Sequence, residues 1–273
     1  MNNKDRYAVF GNPISHSKSP LLQMSFAQQT QQNIIYTAEH IELDQFSSTA
    51  DTFFSNGGKG LNITVPFKIE AFNYATQLTE RAKKAGAVNT LIKQGVEIIG
   101  DNTDGIGFVN DVLDNLHWTL QNKNILILGA GGAVRGILEP LLNALPNAVV
   151  IANRSIEKAE QLADDFSAYG NINACQYSDL DRPFDIIINA SSASLNGKLP
   201  DINAEVLHES SYCYDMMYAK NDTVFMQWAK TEGAAAVADG LGMLVCQGAE
   251  SFYQWRNKRP KTQSVITMLR DAL

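Results

Sequence analysis

Three sets of residues in this chain of 273 could do chemistry. The first is LNITVPFK, residues 61–68, where an apolar strand pattern stops at Pro66 and Lys68 opens the helical pattern FKIEAFNYA. A lysine in a first helical turn faces the positive end of the peptide dipoles, which opposes the ammonium and eases proton exchange. Proton exchange is what interconverting a secondary alcohol and a ketone requires. The second set is GDNTDGIGF, residues 100–108, in which Asp104 precedes a helical pattern and Asp101 is a similar loop acid. A carboxylate facing Lys68 would hold the ammonium and complete an acid/base pair. Read alone, Lys68 has a commoner meaning as an exposed helix-start lysine, and Asp104 serves equally well as an N-cap.

The third set is NILILGAGGAVRG, residues 124–136, an apolar strand that ends in glycines and passes at once into a helical pattern. Gly129, Ala130, Gly131, Gly132 and Ala133 form a phosphate-cradle candidate, because glycine lets backbone N–H groups approach a pyrophosphate at the start of a helix. The strict GxGxxG is not met, since Val134 holds the third glycine position. About twenty residues further on, where a dinucleotide site for NAD usually places an acid, the chain reads AVVIANRS, with Asn153 and Arg154 at that point. An acid would repel a 2′-phosphate, whereas arginine can clamp one, so these residues favour NADP(H). The plain alternatives are a surface arginine at a strand end, with Ser155 as N-cap of IEKAEQLADDF.

The elements that must position these groups follow the βαβ rhythm. Short runs (YAVFG, IIYTAEHIEL, LNITV) alternate with segments of helical period, SPLLQMSFAQQ and FKIEAFNYATQLTERAKK. VNTLIKQGVEII predicts a hairpin across Gln94-Gly95, which adds antiparallel strands to an otherwise parallel sheet. After DNTDG the alternation restarts with NILILG, AVVIANR, FDIIINAS, SYCYDM and AAAVAD, which predicts a second domain. In the tail GLGMLVCQGAESFYQW, residues Leu241, Leu244, Val245, Gly248, Ala249 and Phe252 form one helical stripe, with Met243 and Gln247 on a neighbouring face. The domain junctions are expected near Asp104 and Asp239-Gly240, giving residues 1–104 completed by 240–273, and residues 105–239.

Composition narrows the partners. Lys+Arg of 22 against Asp+Glu of 29 gives a net charge of −7, so a nucleic acid backbone finds no general electrostatic support. The basic run RNKRPK, residues 256–261, reads as a solvated helix end. Three scattered cysteines predict neither a disulfide framework nor a thiolate metal site, and the four histidines have no ligand spacing, so no metal is expected. A reducing cytoplasm is the expected location, with no leader segment and no membrane span.

Taken together, GNPISHSKSP, NITVPFK, AGAVNT, GDNTDGIGF, GAGGAVRG, ANRS, YDMMY and DGLGMLVCQGAESF closely resemble the shikimate dehydrogenases, in the family's order and over essentially the whole chain. The resemblance implies two α/β domains: a mixed-sheet substrate domain completed by the C-terminal helices, and a Rossmann-like doubly wound NADP-binding domain across a cleft from it. The implied reaction is reversible NADP-dependent reduction of 3-dehydroshikimate to shikimate, in aromatic amino acid (chorismate) biosynthesis. It makes Lys68 and Asp104 the catalytic pair. It also implies that Ser17, Ser19 and Tyr218 hold the substrate carboxylate, while Thr64, Asn89 and Gln247 bond its hydroxyls. Gly129 to Ala133 would cradle the pyrophosphate. Asn153, Arg154, Ser155 and Lys158 would bind the adenosine phosphate, and Ala190, Met216, Gly240 and Met243 would line the nicotinamide side. The small-molecule substrate is the expected partner of a monomer or homodimer.

Two departures from the family pattern stand out: Lys158 where many relatives carry a second arginine, and SSASLNG after FDIIINA where a threonine-containing form is commoner. Lysine offers a point charge in place of a planar fork, so Arg154 carries more of the phosphate recognition. The alternatives are a quinate/shikimate dehydrogenase using NAD, which the missing acid opposes, and a catalytically silent nucleotide-sensing paralogue, which the presence of both Lys68 and Asp104 opposes. Arg154→Ala is expected to weaken NADPH by about 1.5–3 kcal/mol, the size of a hydrogen bond to a charged group, and to leave NADH nearly unchanged. Fluorescence titration with both nucleotides measures this, and equal losses would remove Arg154 from the phosphate site.

Overall fold

The computed structural model describes residues 4–191, 193 and 197–273. The chain forms two compact units, Met1–Gly107 with Val245–Ala272, and Phe108–Leu244 with Leu273.

The first unit is built on a six-stranded mixed sheet. Strands β1 (Asp5–Gly11), β2 (Ile34–His40), β3 (Gly58–Ile63), β4 (Gln77–Leu78), β5 (Thr90–Gln94) and β6 (Glu97–Asp101) lie in the order β2-β1-β3-β5-β6-β4. β1 runs parallel to β2 and β3, whereas β5 is antiparallel to both β3 and β6. The hairpin turn sits one residue later than the sequence suggests: Gln94 pairs with Glu97, so Gly95 and Val96 turn, and Gly95 takes φ +62°. An aromatic layer of Phe10, Phe46, Phe53, Phe54 and Phe67 fills one face, with Phe46 stacked on Phe67 at 5.5 Å.

The long helical segment expected after Pro66 is broken. Helix α3 (Lys68–Tyr74) stops at Ala75, which is extended, and β4 pairs with β6 before α4 (Glu80–Ala85) begins. The break has a local cause. Thr76 accepts the Ile98 N–H through its hydroxyl, and the Thr79 hydroxyl caps α4 by accepting the Ala82 N–H at 3.3 Å. Asp101, read as a loop acid, instead ends β6 and is fully buried. It accepts a two-pronged bond from Arg81, which also donates to the buried Glu250 at 3.1 Å.

The C-terminal segment completes this unit. Helix α9 (Leu241–Arg256) supplies Phe252, which meets Phe26 edge-on, and Trp255, whose indole N–H donates to the Leu91 carbonyl at 3.1 Å. The basic run is not simply solvated. Arg256 donates to Asp5 at 2.5 Å and to Gln32 at 2.9 Å, while Arg259 donates to Glu250 and stacks on Tyr253.

The second unit has an all-parallel sheet. Its strands are β7 (Asn124–Leu128), β8 (Ala148–Ala152), β9 (Ile172–Cys175), β10 (Ile186–Asn189), β11 (Tyr212–Asp215) and β12 (Ala236–Asp239), in the order β12-β11-β10-β7-β8-β9. Counted within the unit this is 3-2-1-4-5-6, the doubly wound arrangement. β7 shows why its sequence is apolar from Ile125 onward: Ile125 and Ile127 face one core, while Leu126 and Leu128 face the other. β9 was not among the strands named from the sequence, since NINAC carries two asparagines and little alternation.

Arg81→Ala would leave Asp101 and Glu250 buried with only part of their positive partners. A loss of about 3–5 kcal/mol is expected, as for breaking a buried ion pair, with Arg81→Lys between it and the parent. Urea denaturation of the three proteins tests this; parental midpoints throughout would reduce the network to a surface feature.

Candidate active site

In the first unit, Lys68 is the first residue of α3 and lies five residues beyond the end of β3. Helix α5 (Asp104–Asn110) opens with Asp104, so both charged groups stand at helix starts. Lys68 Nζ donates to Asp104 Oδ2 at 2.5 Å. The other carboxylate oxygen, Oδ1, accepts from Asn89 Nδ2 at 2.8 Å. Asp104 favours its own helix start, where N–H groups and dipoles welcome an anion, and it offsets the opposite preference at Lys68.

Asn89, just ahead of β5, is buried and its amide orientation is fixed. Oδ1 accepts the Thr103 backbone N–H at 2.9 Å, so the NH₂ end must face Asp104. Gln247 of α9 joins the group through Oε1, 3.4 Å from Asn89 Nδ2 and 3.4 Å from Thr103 Oγ1. Close approach makes this possible: a Cβ on Gly107 would lie 2.6 Å from the Gln247 backbone nitrogen. Lys68, Asp104, Asn89 and Gln247 are therefore joined in one hydrogen-bonded set.

Other sequence-predicted residues take separate places. Ser17 and Ser19 are half-buried ahead of and at the start of α1 (Ser19–Gln29); neither caps it, since the N-cap is Lys18 and Ser17 Oγ accepts the Ser19 N–H at 3.3 Å. Thr64 is half-buried in the loop leaving β3, its methyl beside Gly11. In the second unit, Tyr218 lies beyond β11, because the strand ends at Asp215 and does not include MMY. Burial pushes the Tyr218 phenol up, with Asp239 adding to the shift.

The glycine segment lies at the switch point of the second sheet, after β7 and beside the end of β10, where the strand order reverses. Gly129 takes φ +106°, and a Cβ there would lie 3.2 Å from the Ala190 carbonyl carbon. Helix α6 (Gly132–Asn143) begins within the segment, with Val134 fully buried among the core side chains. Gly131, Gly132, Arg135, Lys158 and Gln161 line an open cavity of about 350 Å³. Arg154 is exposed after β8, and Asn153 donates to the Ser155 carbonyl at 2.9 Å. Ser155 does occupy the N-cap position of α7 (Ile156–Phe166), but its hydroxyl accepts no helix N–H. Exposed glycines at a helix start and a cavity lined by two cations, Arg135 and Lys158, beside one anion, Glu157, fit a dinucleotide with a phosphorylated ribose. Ala190, Met216 and Met243 pack against the unit's core, and Gly240 is buried after β12. The segment SSASLNG lies largely outside the described residues.

Comparison with known proteins places this geometry. Residues 9–91 match the model of the shikimate dehydrogenase substrate binding domain, 111–210 that of shikimate / quinate 5-dehydrogenase, and 240–267 that of the shikimate 5'-dehydrogenase C-terminal domain. The shikimate dehydrogenase (NADP(+)) of Cellvibrio japonicus is 56% identical over 271 residues, covering 98% of each chain. The chain belongs to the shikimate dehydrogenase family. Among solved structures, an Ael1 enzyme from Pseudomonas putida is 45% identical with a TM-score of 0.94, over 97% of this chain and 98% of that one. The shikimate 5-dehydrogenase of Thermus thermophilus in complex with NADP(H) and shikimate is 29% identical with a TM-score of 0.88, over 98% and 100% of the two chains. The two-domain α/β architecture is that of the shikimate dehydrogenases.

Sequence reasoning missed several residues around this site. Asn62, Thr90, Thr103 and Ser251 are buried behind Asn89, and a polar residue inside an apolar strand run, as in LNITV and NTLI, was the available signal. Asp111 was also missed. It is buried, accepts from Tyr214 Oη at 2.8 Å and from the Met243 N–H, and burial pushes its carboxyl up. Gly107→Ala is expected to destabilise the protein by about 1–3 kcal/mol, as overpacking does, and to raise KM for the substrate by displacing Gln247. Thermal unfolding together with steady-state kinetics measures both; an unchanged Tm and KM would show that the contact relaxes without cost.

Proposed function

We propose that this chain reversibly reduces 3-dehydroshikimate to shikimate with NADPH, in aromatic amino acid biosynthesis. The observation that carries the reading is the Lys68 to Asp104 bond of 2.5 Å, backed by Asn89 and Gln247. The first unit is the substrate and catalytic domain, and the second binds the cofactor. When bound, the nicotinamide would supply a hydride to the carbon bearing the reacting oxygen in reduction and accept it from that carbon in oxidation.

The chain's own residues handle charge and protons. As the ketone is reduced, negative charge develops on its oxygen, and the Lys68 ammonium stabilises that charge and donates the proton. In oxidation the neutral amine accepts the proton from the alcohol. Asp104 orients the amine and accepts a hydrogen bond from a neighbouring substrate hydroxyl. Thr64, Asn89 and Gln247 bond the ring hydroxyls, while Ser17, Ser19 and Tyr218 bind the carboxylate by hydroxyl groups. Gly129, Ala130, Gly131, Gly132 and Ala133 bind the pyrophosphate. Asn153, Arg154, Ser155 and Lys158 hold the phosphorylated ribose, and Ala190, Met216, Gly240 and Met243 flank the nicotinamide.

Lys68→Ala is expected to lower kcat by about 10²–10⁴, the range for positioned acid–base catalysis, with a much smaller change in KM. Asp104→Asn should also depress kcat, and the double variant should fall well short of the product of the two losses because the groups act as a unit. Steady-state kinetics on the three variants, with NADPH binding checked by fluorescence, decides the matter. A near-parental kcat in Lys68→Ala, or fully multiplicative losses, would overturn this mechanism.

A further inference from the structure

Behind the catalytic set lies a chain of buried hydrogen bonds, which meets the Ser19 side chain at its Tyr36 end. Tyr36 on β2, Asn62 on β3, Thr90 on β5 and Ser251 on α9 are all buried, and Thr90 and Ser251 are wholly without exposure. Asn62 and Thr90 face each other across the antiparallel pair β3 and β5. We propose that Thr90 is a positioning residue, which fixes Asp104 through Asn89 at the end of a donor chain running Tyr36, Asn62, Thr90, Asn89. The proposal rests on the reading of Lys68 and Asp104 given above.

The direction of the chain follows from the donor inventory. Burial pushes the Tyr36 phenol well above its usual range, so the hydroxyl keeps its proton and donates to Asn62 Oδ1 at 2.8 Å. Gln23 Nε2 approaches the same oxygen at 3.4 Å, which sets the carbonyl end of Asn62 on that side. Asn62 Nδ2 must then point the other way, toward Thr90 Oγ1 at 3.2 Å and Ser251 Oγ at 3.0 Å. A threonine hydroxyl has one proton. Asn62 donates to it, and Thr90 gives its proton to Asn89 Oδ1 at 2.9 Å; Ser251 Oγ, 2.8 Å away, competes for that proton, since Ser251 donates its own to the Gln247 carbonyl at 3.1 Å.

That bond matters because of what Asn89 does next. The Thr103 N–H, the Thr90 hydroxyl and the Thr103 hydroxyl at 3.1 Å together hold Oδ1, and a flipped amide would set its NH₂ against the Thr103 N–H and its oxygen against Asp104. Each donor in the sequence therefore biases the next, and the last one, Asn89 Nδ2, stabilises the carboxylate that holds Lys68. Thr90 does this without exposure to any ligand.

The test uses the intact protein with shikimate and NADP+. Thr90→Val replaces the hydroxyl by a methyl of similar size and is expected to lower kcat roughly three- to tenfold, the scale of one lost buried hydrogen bond, with KM for shikimate changed less than about twofold. Thr90→Ser should restore most of the kcat. In an Asp104→Asn background, Thr90→Val should cause little further loss, because the carboxylate through which it acts is gone. A role in packing alone would give the same fold-loss in both backgrounds and no rescue by serine. Should Thr90→Val fail to fold, Thr90→Ala, which adds no bulk, carries the same comparison. Parental kcat in Thr90→Val, or an equal loss in both backgrounds, overturns the proposal. Parental kcat in Lys68→Ala would instead overturn the catalytic reading itself, so the two failures are distinguishable.

Discussion

An ammonium placed in the first turn of a helix meets the positive ends of the peptide dipoles, and the Asp104 carboxylate at 2.5 Å offsets that opposition. Much of the first unit can be understood as the means of delivering that carboxylate. β3 carries the chain to Lys68; the β5 and β6 hairpin then brings it back antiparallel, so that residues 101–104 return to the same end of the sheet. A purely parallel arrangement would need a long crossover at this point. The mixed topology thus has a local chemical purpose.

Much of this was legible in the sequence. Pro66 marked the end of the strand pattern, Lys68 stood at the helix start, and the glycine run after NILIL marked the strand-to-helix turn that the second unit displays. Apart from β9, the parallel strands of the second unit were readable because burial on both faces demands an unbroken apolar run. What could not be read was set by partners distant in sequence. Nothing near Asp101 announces that Arg81 and Thr79 will bury it, and the helical period from 67 to 84 gives no hint that β6 will recruit Gln77 and Leu78 as an edge strand. Asn62 and Thr90 likewise acquire partners only through the sheet register, which sets them opposite each other.

The polar interior of the first unit differs in kind from the two-faced apolar core of the second. Leu126 and its neighbours tolerate any partner of suitable shape, whereas each buried amide and hydroxyl around Asn89 needs a donor or acceptor in one place. Within that network, Gln23 Oε1 is the described buried side-chain atom left without a partner. The near-complete pairing makes the geometry around Asn89 sensitive to substitutions elsewhere in the network.

The first unit is interrupted in sequence by the second, and this fixes an order of events at the ribosome. Residues 1–107 emerge first, yet Ser251, Phe252 and Trp255, which close their interior, lie beyond the 137 residues numbered 108–244. At roughly 5–20 residues per second, that separation lasts about 7–27 s. During this interval Asn62 and Thr90 lack Ser251 as a partner, and Gly60 lacks the Trp255 indole beside it. The core residues of the second unit, by contrast, all precede Ser251 in the chain. Lys68 and Asp104 are made before the second unit, yet Gln247, which joins their hydrogen-bonded set, is made after it.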